Sequence, residues 1–217
     1  MSNILFVCYQ HGCKGESLSV KISEHDTFKT LNANVVNNRT VILDEYFNKK
    51  FLCSWPQNFS NLKNNSKKNI VVPSHLFFES LKTDYGDQKF VSIDAPKDIK
   101  KFRQELYDRY YCYNTTNIAE LAGECENRYR EYHPNASKTE VKSFTVKCLK
   151  KKNVTFGEIH CMAKGIDISE TNIKSLIANH VPQTLSKETI QNSFVVPYED
   201  VKKINIEDIV DYFKYKK

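Results

Sequence analysis

Asn3 to Tyr9 (NILFVCY) is a continuous apolar run, too short for a membrane span and without the polar alternation of a half-exposed strand, which predicts a strand buried on both faces. Similar short runs recur at Ile70 to Val72, Lys89 to Ile93 and Ser193 to Val196, with helical patterns between them. Buried strands alternating with helices predict an α/β fold, a mostly parallel sheet flanked by helices on both faces. In such sheets ligands bind at the carboxyl ends of the strands. Three places are thereby singled out: the loop after Tyr9, the turn at His75, and the turn from Asp94 to Asp98.

The helical segments are read at Ser17 to Leu31, Asp44 to Phe51, Leu76 to Leu81, Pro96 to Tyr111, Ile118 to Tyr132, Ser169 to Asn179 and Ile206 to Tyr215. From Pro96 on, Ile99, Phe102, Leu106 and Tyr110 recur at spacings of three and four, an amphipathic pattern with proline in its first turn. Val35 to Leu43 is β-rich, and residues 56 to 69 form a polar, Asn-rich surface loop. Residues 141 to 162 are ambiguous, because Phe144, Val146 and Cys148 alternate like a strand. The expected organisation is one α/β domain over residues 1–217, with no internal repeat.

Composition excludes several classes. Hydrophobic residues make up 40% and charged residues 27%, with only 6 Gly and 6 Pro, so the chain is neither collagen-like nor mostly disordered. There is no apolar stretch of membrane length and no basic leader before Ile4, and the seven cysteines are scattered without a CxxC pair. A reduced, intracellular, cytoplasmic protein without a membrane anchor, a disulfide framework or a metal site is expected. The net charge of +6 rests almost wholly on lysine, which with abundant Asn suits an AT-rich genome such as that of a large DNA virus or an AT-rich microbe. That charge serves a phosphate-bearing ligand, an anionic polymer or solubility alike, and does not exclude nucleic acid.

The loop Gln10-His11-Gly12-Cys13-Lys14-Gly15-Glu16-Ser17 joins the first strand to the first helix. Backbone N–H groups of such a loop, with a helix N-terminus behind them, can bind a phosphate, and Lys14 is the counter-charge. It is not a Walker A sequence, since its lysine precedes the last glycine. A tight turn with a solvated lysine is the plain alternative. His75 follows the second buried strand and can act as a general base for a hydroxyl acceptor, or simply bond to backbone at a helix start. Asp94 and Asp98 suit either a Mg²⁺-holding strand end or helix caps. Tyr107, Tyr110, Tyr111 and Tyr113, with Arg103 and Arg109, can stack bases, although helical spacing favours packing.

Together CYQHGCKGESLS (Cys8 to Ser19), VVPSHLFFESL (Val71 to Leu81) and FVSIDAPKDIKKFRQELYDRYY (Phe90 to Tyr111) resemble, in order and spacing, the P-loop sulfotransferases over about the first 115 residues. FVVPYEDV (Phe194 to Val201) resembles the late YEDL-type segment of that family. The resemblance implies a P-loop NTPase/sulfotransferase-like three-layer sandwich and a 3′-phosphoadenosine 5′-phosphosulfate donor. Gly12, Lys14, Gly15, Glu16 and Ser17 would surround the phosphosulfate, with Arg103 on the nucleotide. His75 would take the proton of an unidentified hydroxyl acceptor, with Lys14 beside it in catalysis. The sequence departs from the family pattern in three places. Lys14 falls one position late, Asp94 stands where the RxPKD segment begins with arginine, and the serine of that segment is replaced near Phe102, leaving Arg103 as the nearest substitute. An acid in place of an arginine points to a different donor or to lost catalysis. Two other readings stay open: a nucleotide or nucleoside kinase using ATP with Mg²⁺, and a non-catalytic binding or structural protein on the same fold.

Overall fold

The computed structural model describes residues 4–28, 32–36, 39–43, 70–178 and 180–215. The expected helix at Asp44 to Phe51 and the loop at 56 to 69 lie outside the described residues. The chain divides into two compact units, residues 1–97 with 182–217, and residues 98–181.

The first unit holds a four-stranded parallel sheet made of β1 (Ile4–Cys8), β4 (Ile70–Ser74), β5 (Lys89–Ile93) and β6 (Phe194–Val196), in the order β4-β1-β5-β6. All five residues of β1 are buried, as the unbroken apolar run requires. The fold class is therefore α/β with a parallel sheet, as the sequence leads one to expect. The chain moves from β1 to β4 on one side, through α1 (Gly15–Ser23), and then back past β1 to β5, through α2 (Phe78–Tyr85). Right-handed crossovers in opposite directions put these helices on opposite faces, giving three layers. On the α2 face, Phe78, Leu81 and Tyr85 pack with Ile4, Phe6, Val72 and Phe90, where the Phe6 and Phe90 rings stack at 5.4 Å. The reversal of direction beside β1 makes the crevice between the ends of β1 and β5 the switch point of the sheet.

The β-rich stretch is an antiparallel pair, β2 (Asn32–Val36) and β3 (Arg39–Leu43), with Val35 opposite Thr40. The helix read over Ser17 to Leu31 is shorter than expected. It starts at Gly15 and ends at Ser23, and a 3₁₀ turn (Asp26–Phe28) follows. The last helix of the unit, α9 (Ile206–Tyr215), matches its expected span.

The second unit is helical: α3 (Ile99–Leu106) continued by a π-helical turn (Tyr107–Tyr111), α4 (Ile118–Tyr132), α5 (Lys138–Leu149), α6 (Phe156–Lys164) and α7 (Glu170–Ala178). Asp98 caps α3, accepting a hydrogen bond from the Lys101 N–H at 2.9 Å, so Pro96 lies outside the helix rather than in its first turn. Residues 141 to 149 and 156 to 162 are helical, with a turn between them, and none of the stretch is strand. The apparent alternation of Phe144, Val146 and Cys148 gives way to Val141, Phe144 and Cys148 buried on one helical face, with Val146 42% exposed. Both helices begin with capping boxes, Ser137 with Glu140 and Thr155 with Glu158.

Tyr110 and Tyr111 are buried and engaged, so they offer no stacking face. The Tyr110 hydroxyl donates to Glu124 Oε1 at 2.5 Å, and Arg128 Nε donates to the same oxygen at 2.8 Å. The Tyr111 hydroxyl lies 3.1 Å from His180 Nε2. Burial, with a smaller contribution from the nearby Arg128, lowers the His180 pKa below its ordinary value, against an opposing pull from Glu131.

Candidate anion-binding site

β1 hands over to α1 in six residues, Tyr9 to Lys14. The Tyr9 N–H donates to the Ser74 carbonyl at 2.9 Å, carrying the β1–β4 ladder one residue past the strand end. A tight turn follows, closed by the Cys13 N–H on the Gln10 carbonyl at 2.9 Å. Gly12 takes φ 83°, a left-handed conformation that glycine adopts without steric cost. Lys14 takes φ 62° and ψ 20° as the residue before α1, and its side chain does not cap the helix. A side chain in that region costs about 1 kcal/mol, so the surrounding turn holds Lys14 in a strained geometry.

Gly15 is needed for a reason the sequence did not disclose. A Cβ there would lie 1.8 Å from Cδ1 of Tyr9, because the Tyr9 ring packs directly against the first turn of α1. The ring is buried, and its hydroxyl lies 3.4 Å from Glu16 Oε1. Ser17 is exposed in the same helical turn.

The Lys14 ammonium sits 4.0 Å from the centre of the Tyr198 ring. Tyr198 begins a 3₁₀ turn (Tyr198–Asp200) just after β6, so the segment PYED is brought against the glycine loop from the far end of the chain. A cation over an aromatic face is attracted by the ring quadrupole, which fixes the otherwise flexible amine at the mouth of the loop.

His75 is half-buried one residue beyond β4. Its Nδ1 lies 3.0 Å from the Tyr9 carbonyl oxygen, and its ring centre is 4.5 Å from that of Tyr9 and 6.4 Å from that of His11. A carbonyl only accepts, so Nδ1 carries the hydrogen. In the neutral ring Nε2 is therefore the basic nitrogen.

The structure thus gathers Gly12, Lys14, Gly15, Glu16, Ser17 and His75 at the ends of β1 and β4 in the first unit. Arg103 belongs to α3 of the second unit, where Nη2 donates to the Ala178 carbonyl at 2.6 Å, at the end of α7. At the end of β5, Asp94 Oδ1 accepts from the N–H groups of Ala95 at 2.8 Å and Leu185 at 3.3 Å. Among the described residues, no group of three His, Cys, Asp or Glu side chains converges to hold a metal ion. Sequence reasoning missed Tyr9 and Gln10 as parts of the site. The partners that reveal Gln10 lie 173 residues away, and no local pattern carries that signal.

A phosphosulfate donor fits this site at one end only. A cation and the first turn of a nine-residue helix suit its anionic sulfuryl and phosphate oxygens. The carboxylate of Asp94 offers nothing to a 3′-phosphate.

No family description matches the chain, and no curated protein resembles it in sequence. Among solved structures it is similar to the crystal structure of mouse sulfotransferase SULT7A1 complexed with PAP, at 13% identity and a TM-score of 0.29. That alignment covers 99% of this chain, which spans 65% of the mouse enzyme's length. A likeness of that size establishes neither an activity nor a ligand.

Proposed function

We propose that this chain is a sulfotransferase-like transferase that binds the anionic end of a phosphorylated nucleotide donor at the β1–α1 loop and passes a group to a hydroxyl acceptor beside His75. One observation carries the reading: the Tyr9 carbonyl fixes Nδ1–H of His75 and leaves Nε2 as the base, in the same loop region that holds the Lys14 ammonium.

A 3′-phosphoadenosine 5′-phosphosulfate-type donor would supply a sulfuryl group, whose bond to the phosphate oxygen breaks as the acceptor oxygen bonds to sulfur. His75 Nε2 takes the acceptor's proton, and the Nδ1–H bond to Tyr9 keeps the ring oriented as it becomes cationic. Lys14 neutralises the charge left on the departing phosphate oxygen, and Ser17 donates from the first turn of α1. Tyr198 keeps the Lys14 amine at the loop before a ligand arrives. The test is sulfuryl transfer from 3′-phosphoadenosine 5′-phosphosulfate to a panel of phenols and alcohols. Replacing His75 by Ala should lower the rate about 10²- to 10⁴-fold with little change in donor affinity. Donor binding without transfer to any acceptor would leave a binding protein on this fold.

A further inference from the structure

The segment 182–186 enters α8 (Lys187–Asn192) without regular secondary structure, and it is held by side chains from two strand ends. Gln10, two residues beyond β1, uses both ends of its amide. Nε2 donates to the Gln183 carbonyl at 2.5 Å, and Oε1 accepts the Gln183 N–H at 2.6 Å. Asp94, one residue beyond β5, accepts the Leu185 N–H at 3.3 Å. β1 and β5 are hydrogen-bonded neighbours with Cys8 opposite Ser92, so Gln10 and Asp94 stand level at the ends of adjacent strands. The segment therefore crosses the sheet end from β1 to β5, over the switch-point crevice.

We propose that residues 182–186 form a strap latched by Gln10 and Asp94, and that this strap controls entry of ligand to the β1–β5 crevice. The strap is built to open. Gln183 and Thr184 are exposed, and Thr184 alone lies between the two latched residues. Such segments open locally at far lower free energy than the sheet beneath them. The downstream end is firm by contrast. Ser186 caps α8, and both Ser186 and Thr189 donate to Glu79 of α2. Opening therefore pivots about the start of α8. It also gives Asp94, whose carboxylate has no place against a 3′-phosphate, a positioning role at the same site.

The ligand-gating half of this inference rests on the proposed donor site, whereas the latch does not, so two measurements separate them. Hydrogen exchange on the full chain reads the latch. The amides of Gln183 and Leu185 should be protected together, and Gln10→Ala should speed exchange at both by about tenfold. Asp94→Asn, which keeps the accepting oxygen, should change neither. Unprotected strap amides, or a Leu185 amide indifferent to Gln10→Ala, would overturn the latch. Stopped-flow binding of adenosine 3′,5′-bisphosphate reads the gate. Gln10→Ala should raise the association rate several-fold, and an unchanged rate would overturn gating. If the bisphosphate binds neither protein while the exchange result holds, the donor reading fails and the latch stands.

Discussion

Replacing Gly15 by Ala tests the packing on which the loop depends. The new Cβ would lie 1.8 Å from Cδ1, 1.9 Å from Cγ and 2.4 Å from Cε1 of Tyr9. Carbon atoms in contact need about 3.5 Å, so the ring must retreat by roughly 1.7 Å. Tyr9 is only 3% exposed and has the His75 ring 4.5 Å away, which leaves it no open space. Overpacking of this kind costs about 1–3 kcal/mol, offset by a few tenths from the better helix propensity of alanine at a first-turn position. For a chain of this size the net loss lowers the Tm by roughly 3–8 °C, read by circular dichroism. Gly123→Ala is the internal control. Nothing lies within 4 Å of its added Cβ in α4, so it should raise the Tm by roughly 1–3 °C. Truncating Tyr9 in the Gly15→Ala background should recover part of the loss, as contacting residues do in a double-mutant cycle. If Gly15→Ala were as stable as the parent, the Tyr9 ring would not lie on the α1 N-terminus and the geometry derived for His75 would fall with it.

Lys14→Gly should separate stability from binding: relief of the left-handed backbone at φ 62° stabilises by about 1 kcal/mol, while loss of the ammonium abolishes any thermal shift by sulfate or nucleotide. A loss of stability in that variant would mean that the contact with Tyr198 outweighs the strain. In the helical unit, Glu124→Gln takes from the half-buried Arg128 one of the two carboxylates it pairs with, leaving Glu131, and a cost of about 1–3 kcal/mol in urea unfolding is expected. A neutral outcome would show that Glu131 alone satisfies Arg128. His180 gives a pH signature. Its folded pKa lies below the unfolded 6.5, so its contribution is fully present above about pH 6.5 and is lost as pH falls through the lowered folded value. The Tm difference between pH 7.5 and pH 5 should shrink in His180→Gln, and an unchanged difference would assign the acid sensitivity elsewhere.

The strands were legible because burial on both faces leaves an unbroken apolar signature: Lys89 to Ile93 agrees with the structure at both ends, as does the helix Ile118 to Tyr132. The stretch 141 to 162 was not legible from periodicity, because Phe144 and Cys148, four residues apart, suit strand and helix alike, and the exposed Val146 between them completes a false alternation. The decisive signals were the capping residues, Ser137 with Glu140 and Thr155 with Glu158, which speak of helix starts whatever the periodicity. At the candidate site, chain order alone puts the β1–α1 loop and His75 just after β1 and β4, where the structure has them. The contacts that shape them do not. Tyr198 over Lys14, the Tyr9 ring on Gly15 and the Gln10 amide on Gln183 join residues by way of tertiary packing, and only the fold makes them neighbours.

Calorimetric titration of the full chain with adenosine 3′,5′-bisphosphate, alongside the Lys14→Ala variant, bears most directly on the claim that the β1–α1 loop binds the anionic end of a nucleotide. The account predicts saturable binding at one site, weakened at least tenfold in Lys14→Ala. Absence of binding in the parent protein, or equal affinity in the two, would contradict it.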